Sequence, residues 1–172
     1  MVDSRANAIQ KLGGMIKDIK FAMLTTVHED GSLHSRPMAT QQQEFDGDLW
    51  FFTKLDSEKV EDTRQNRHVN VSYASPDDYK FLSVSGIAEV VRDRAKIDEL
   101  WNPIYKAWFP KGTEDPEIGL LKVNVEGAEY WDTPSGKMVQ LFGYMKAMVT
   151  GEPYKASKDE HDKVKIDKDR VA

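Results

Sequence analysis

The sequence predicts a mainly β protein with flanking helices, built as a small antiparallel barrel. Three observations lead there. Six or seven short runs rich in β-branched and aromatic residues are separated by Gly-containing turns. Alternating βαβ units are absent, which argues against a doubly wound parallel sheet. The chain has 172 residues and a mass of 19.6 kDa, room for one ordinary core. Many short strands expose many edges, and closing them into a barrel removes those edges.

The elements follow in chain order. Residues 3–19 read as a helix, with Asp3 or Ser4 as cap and Ile9, Leu12, Ile16 and Ile19 at helical spacing. Gly13 and Gly14 interrupt it and suggest a close approach to another backbone. Residues 21–27 form a β-rich run, 28–31 a turn and 33–42 a second strand. The turn 45–48 leads into a third strand over 49–53, completing a meander. Residues 56–66 read as a short helix capped by Asp56 or Ser57. Strands over 69–74 and 81–91 flank a polar turn, and Asp93 caps a helix carrying Ile97, Leu100 and Trp101. A loop rich in Pro and aromatics, 102–116, precedes strands over 120–125, 127–132 and 137–149. Residues 150–172 hold six basic and six acidic residues and almost no large apolar ones, the composition of a charged, flexible tail. The expected organisation is a domain of residues 1–149 followed by that tail.

Composition narrows the chemistry. With no Cys, disulfides, thiolate catalysis, iron–sulfur clusters and Cys-based zinc sites are excluded. The net charge of −5 argues against nucleic acid or an anionic membrane as partner. No apolar run reaches the roughly 20 residues of a membrane helix, and the amino end lacks the pattern of a signal peptide, so a cytoplasmic location is expected. His28, His34, His68 and His161 lack metal-motif spacing, and no metal site is expected. Walker, dinucleotide and hydrolase-nucleophile motifs are absent.

Three constellations stand out. Strand alternation puts His34, Arg36, Met38 and Thr40 on one face, where Arg36 can present a guanidinium fork to a phosphate; the plainer reading is a solvated Arg or an internal ion pair. In the stretch 51–59 a strand ends at Thr53 and a helix opens near Ser57, with Lys59 in its first turn. A helix start favours anions, so a Lys there calls for an anionic ligand, unless Glu58, Glu61 and Asp62 balance it. Finally, Trp101, Tyr105, Trp108, Phe109, Tyr130 and Trp131 could wall a planar ligand, centre a subunit contact or fill the core, with Trp108 the best ligand candidate.

Across residues 8–150 the ordered landmarks Phe21-Ala-Met-Leu-Thr-Thr26, Ser35-Arg-Pro-Met38, Trp50-Phe-Phe-Thr53 with Ser57 and Lys59, Val84-Ser-Gly-Ile-Ala-Glu-Val90, Trp108-Phe-Pro-Lys-Gly112 and Ala128-Glu-Tyr-Trp-Asp132 give a specific likeness. The chain resembles the general stress protein 26 branch of the pyridoxamine 5'-phosphate oxidase-like, split-barrel flavin-binding superfamily. That resemblance implies a six-stranded antiparallel split barrel, a homodimer, and flavin mononucleotide (FMN, with FAD as the alternative) where subunits meet. By the same resemblance Arg36, Lys59 and Ser57 hold the flavin phosphate. Pro37 and Met38 line the ring, Phe52 and Thr53 meet the ring or ribityl chain, and Trp108 covers the flavin from the partner subunit. Glu58 stands where the true oxidases carry a basic residue. Lys146-Ala-Met148 and the charged tail replace their substrate-binding Arg-x-His arrangement, so both features argue against pyridoxamine 5'-phosphate oxidation. The expected function is a stress-related flavin protein, either an oxidoreductase served by a nicotinamide or other small redox substrate, or a non-catalytic flavin sensor or carrier. No catalytic acid or base is assigned.

Overall fold

The computed structural model describes residues 4–41, 43–132, 148, 150, 151 and 161–166. Helix α1 spans Ser4–Ile16 and buries Ala8, Leu12 and Met15, the stripe that three- and four-residue spacing dictates. Strands β1 (Phe21–Val27) and β2 (Leu33–Ala39) form a hairpin, and β3 (Asp48–Lys54) leads into α2 (Glu58–Gln65). Then come β4 (His68–Ser75), β5 (Lys80–Val91), α3 (Arg94–Leu100), β6 (Ile118–Trp131) and β7 (His161–Lys165). Asp93 caps α3 through a hydrogen bond from the Lys96 amide, as the sequence predicts.

All pairings are antiparallel, in the order β2-β1-β4-β5-β6-β3, with β7 beside β6. The sheet curls until its end strands β2 and β3 approach each other, with no ladder between them among the described residues. The barrel is therefore split along that seam. Alternation assigns each strand two faces. Leu49 and Phe51 of β3 and Leu121, Val123 and Val125 of β6 face the barrel core, which α1 closes. Trp50 and Phe52 of β3 and Ile118 and Leu120 of β6 face outward into a second apolar layer with Ile97, Leu100, Tyr105 and Phe109. The loop 102–116, anchored by that layer, lies beside the open seam.

Two elements differ from the sequence reading. The strands expected over 120–125 and 127–132 are one strand, β6. Ser85 pairs with Gly127 and Gly86 with Val125, so Glu126 is the extra residue of a bulge that bends the strand without ending it. The Glu126 carbonyl instead accepts from the Ile166 amide at 2.8 Å. The second difference lies in the stretch read as a separate charged tail. Residues 161–165 add β7 to the part of β6 that β3 does not reach, and Ile166 is buried in the barrel core. An open edge along 127–131 supplies the pairing partner, and Val164 with Ile166 supplies a short inward face among charges. The strand expected over 137–149 and its preceding turn lie almost wholly outside the described residues. The glycine pair of α1 meets no backbone: Gly13 faces the Phe45 side chain, and Gly14 faces open space.

Crowding at the bulge gives a sharp expectation. A Cβ added at Gly86 would stand 2.4 Å from the Asn124 carbonyl oxygen, a backbone atom that cannot swing away. Gly86→Ala should cost about 1–3 kcal/mol and lower the melting temperature by at least about 2 °C. Gly14→Ala, on an open helix surface, should instead raise it, by about 0.5–1 kcal/mol of stability. Calorimetric melts of the two variants showing equal shifts would contradict this placement of the bulge.

Candidate functional site

A cleft of about 370 Å³ opens at the seam between β2 and β3. From β2 it takes Pro37, Met38 and Ala39, and from β3 Phe52, Thr53 and Lys54. The start of α2 adds Ser57 and Lys59, and the aromatic loop adds Tyr105, Trp108 and Phe109. Seven of the eight residues singled out in the sequence thus surround one cavity: Pro37, Met38, Phe52, Thr53, Ser57, Lys59 and Trp108. Arg36 does not line it. Sequence reasoning passed over Phe21, Ala39 and Lys54; Phe21 is paired with Ala39 across the hairpin and stands exposed, a signal available only once register is known. Of the six aromatics grouped in the sequence, Tyr130 is in the barrel core and Trp131 stacks on His161, both away from this cleft.

The aromatic wall is built on Phe52. Its ring centroid lies 4.6 Å from Tyr105, 5.9 Å from Trp101 and 6.3 Å from Phe109. Those separations fit tilted and edge contacts, which fix rings more firmly than area burial alone. Trp108 remains 56 % exposed at the cleft mouth.

The polar end is the start of α2. Ser57 occupies the cap position, but its hydroxyl donates backwards to the Lys54 carbonyl at 2.6 Å rather than capping the helix. Among the described residues the Glu58 and Lys59 amides have no hydrogen-bond acceptor, leaving two donors of the first turn free. The half-buried Lys59 ammonium makes no hydrogen bond or ion pair among the described residues. Burial, and then the nearby Arg36 guanidinium, hold it below the ordinary lysine value, with Asp56 opposing.

Arg36 is held from behind. Its Nη1 donates to Thr26 Oγ1 at 2.5 Å, and its Nη2 lies 3.5 Å from Asp62 Oδ2. Thr26 in turn donates to the same Asp62 oxygen at 2.7 Å, while His28 Nδ1 is 2.8 Å from Asp62 Oδ1. Burial by itself would raise the Asp62 carboxyl; the hydrogen bonds from Thr26 and His28 and the charges of His28 and Arg36 outweigh it and hold it below the usual carboxylate value. Glu58 does not compensate Lys59. Its carboxylate turns to the histidines of the hairpin, 3.4 Å from His34 Nδ1 and 3.7 Å from His28 Nδ1.

A wider groove of about 460 Å³ carries Arg64, Arg67 and Arg92, but those guanidiniums are engaged. Arg64 pairs with Glu61, Arg67 with Glu89 and the Ala88 carbonyl, and Arg92 with the Pro116 carbonyl. The seam cleft alone among these joins uncommitted donors to an aromatic wall.

Fold and cleft together define a split-barrel protein with a cleft that is cationic at one end and aromatic at the other. The family described as pyridoxamine 5'-phosphate oxidase like matches residues 7–155. The chain is 32% identical over 160 residues to protein bli-3 of Neurospora crassa, covering 87% of this chain and 77% of that protein. Among solved structures, the general stress FMN/FAD binding protein of Xanthomonas citri is 32% identical with a TM-score of 0.66, over 76% of this chain and 92% of that one. A general stress protein 26 from Jannaschia sp. CCS1 superposes with a TM-score of 0.71 over 93% of this chain and 99% of the other, at 23% identity, and speaks for the fold. The chain belongs to the pyridoxamine 5'-phosphate oxidase-like family, in its general stress protein 26-like branch. No helix among the described residues is long and apolar enough to cross a membrane.

The buried carboxylate should matter more than any surface charge. Asp62→Ala leaves Arg36 and Thr26 without their acceptor and should cost about 3 kcal/mol in urea denaturation. Glu61→Ala, one residue away but exposed, should change stability by less than about 0.5 kcal/mol. Similar losses in both would show that the Asp62 network carries no special weight.

Proposed function

We propose that this protein binds a flavin in the seam cleft, with FMN preferred over FAD. The single observation that carries the reading is the uncommitted Lys59 ammonium, placed beside Arg36 at a helix start and facing an aromatic wall. Two like charges held close in a partly buried place disfavour each other, and a phosphate dianion relieves both. The free amides of Glu58 and Lys59 add donors to the same point. The size of the cleft supports the reading, because about 370 Å³ lies within the roughly 300–1,000 Å³ of small-molecule sites. FMN ends at one phosphate, which the single cationic end of the cleft matches.

In this reading Lys59, Ser57 and the first amides of α2 hold the phosphate, and Arg36 adds positive field from behind. Phe52 and Thr53 meet the ring or ribityl chain, and Pro37 and Met38 line the ring. A second copy of the chain closes the mouth as a homodimer, over the Trp108 that each chain places at its own cleft rather than at its partner's. Exposed Phe21, Leu33 and Trp108 support that arrangement, since each leaves a large apolar surface in water. Bound flavin would supply two-electron redox chemistry with a reduced nicotinamide or another small donor. The protein's own part is to bind, orient and shield. The cleft has no carboxylate or imidazole among its described lining residues, which favours a flavin carrier or sensor, or an oxidoreductase needing no protein acid or base, over an enzyme with a dedicated proton relay. A role in the stress response and a cytoplasmic location belong to the same reading.

Titration calorimetry with FMN and riboflavin tests the site. Lys59→Met should weaken FMN binding by about 10–100-fold, the loss of one charge-assisted contact, and leave riboflavin affinity unchanged. The same substitution should slightly stabilise the ligand-free protein, because a partly buried, unbalanced charge is removed. Wild-type FMN affinity should also fall, relative to riboflavin, as pH rises toward the lowered Lys59 value. A lysine whose pKa is lowered loses its proton earlier, and the phosphate contact goes with it. Equal effects on both ligands would place the phosphate elsewhere. Bleaching of the holoprotein by NADH or NADPH under anaerobic conditions would decide for an oxidoreductase, and no bleaching for a carrier.

A further inference from the structure

We propose that His28, His34, Glu58 and Asp62 form a site for one divalent transition-metal ion of the zinc class, separate from the seam cleft. The four ligands come from two rigid elements. Glu58 and Asp62 are four apart on α2 and so share one face of the helix. His28 and His34 flank the β1–β2 turn, where Thr26 pairs with His34 and His28 follows two residues later on the same face. No spacing motif in the chain announces this, because the pair forms across a hairpin.

The distances suit a small tetrahedral ion. With bonds of about 2.0–2.1 Å, neighbouring ligand atoms around zinc stand about 3.3 Å apart. Here His34 Nδ1 is 3.4 Å from Glu58 Oε1, and His28 Nδ1 is 3.7 Å from the same oxygen and 2.8 Å from Asp62 Oδ1. Ligand atoms of His28, His34 and Asp62 all lie within 4.8 Å of one another. The two imidazoles stack in parallel, 4.8 Å between centroids and 10° between planes, so one ring must turn about its Cβ–Cγ bond before both Nδ1 atoms can aim at one ion beside the carboxylates of α2.

An outer shell is also in place. Asp62 Oδ2 accepts from Thr26 and faces Arg36, while Oδ1 accepts from His28 Nδ1 through a proton that a bound ion would replace. The other ring nitrogen of His34 contacts Ser32 Oγ at 3.1 Å, fixing that ring. Both histidines are more than a third exposed in their side chains, so an ion can enter from solvent. Two imidazoles with two carboxylates and no thiolate suit Zn²⁺, Co²⁺ or Ni²⁺ better than Mg²⁺ or Ca²⁺. With both imidazoles neutral, as ligation requires, two carboxylates opposed by one guanidinium leave a deficit that a divalent cation fills, so the ion takes the place of the His28 proton.

The test uses the full chain without an affinity tag, stripped with chelator and free of flavin. Co²⁺ is titrated near neutral pH while the visible ligand-field bands are followed, and Zn²⁺ is then added to displace it. The expected result is one Co²⁺ per chain with the intense bands of tetrahedral coordination, lost on adding Zn²⁺. His34→Ala and Glu58→Gln, both at exposed positions that keep the fold, should each weaken uptake by at least about tenfold. His161→Ala, which removes the histidine beside Glu129, should leave it unchanged. Absence of the bands, or bands that persist equally in His34→Ala and Glu58→Gln, would overturn the proposal. FMN titration of the same samples reports on the cleft independently, so failure of one site is not mistaken for failure of the other.

Discussion

A buried carboxylate in a small barrel is costly unless hydrogen bonds and opposite charge surround it, and Asp62 meets that condition from three directions. Thr26, His28 and Arg36 converge on it from the β1–β2 hairpin, while its own backbone belongs to α2. The contact fixes the helix across the end of the barrel. Because Lys59 lies three residues earlier on that helix, the same contact sets where the Lys59 ammonium stands relative to Arg36. One buried ion therefore positions the cationic end of the cleft.

The second constraint is the split. Among the described residues six strands curl without a ladder between β2 and β3, and side chains of both strands line the cleft at the seam. α2 covers one end of that seam, and the loop after α3 supplies its aromatic side through Tyr105 and Phe109, packed on Phe52 of β3. Burial of these rings in the second apolar layer holds the loop without any regular strand or long helix. The cleft is thus a consequence of incomplete closure rather than an added feature.

Much of this was legible in the chain. Alternation in Leu33–Ala39 put Arg36 and Met38 on one face, and the structure keeps that face inward. The misplaced charge at Lys59 pointed to an anion site because helix starts obey simple electrostatics. What escaped depended on contacts distant in sequence. Arg36 turns to Asp62, an ion pair that spacing alone could not separate from a direct ligand contact. Glu58 looked like a counter-charge for Lys59, yet it faces the histidines across the hairpin. β7 is too short and charged to signal itself, and only the open edge of β6 explains it. The bulge at Glu126 joined two apparent strands because Gly127 marks a bend as well as it marks a turn.

The proposed flavin binding depends on a phosphate held at the start of α2, next to Arg36. A crystal structure of the protein with FMN tests it most directly. A phosphate oxygen is expected within about 3.2 Å of Lys59 Nζ, with the ring against Phe52 and Met38. A phosphate bound in the arginine groove of Arg64, Arg67 and Arg92, or a flavin with no contact to Lys59, would contradict it.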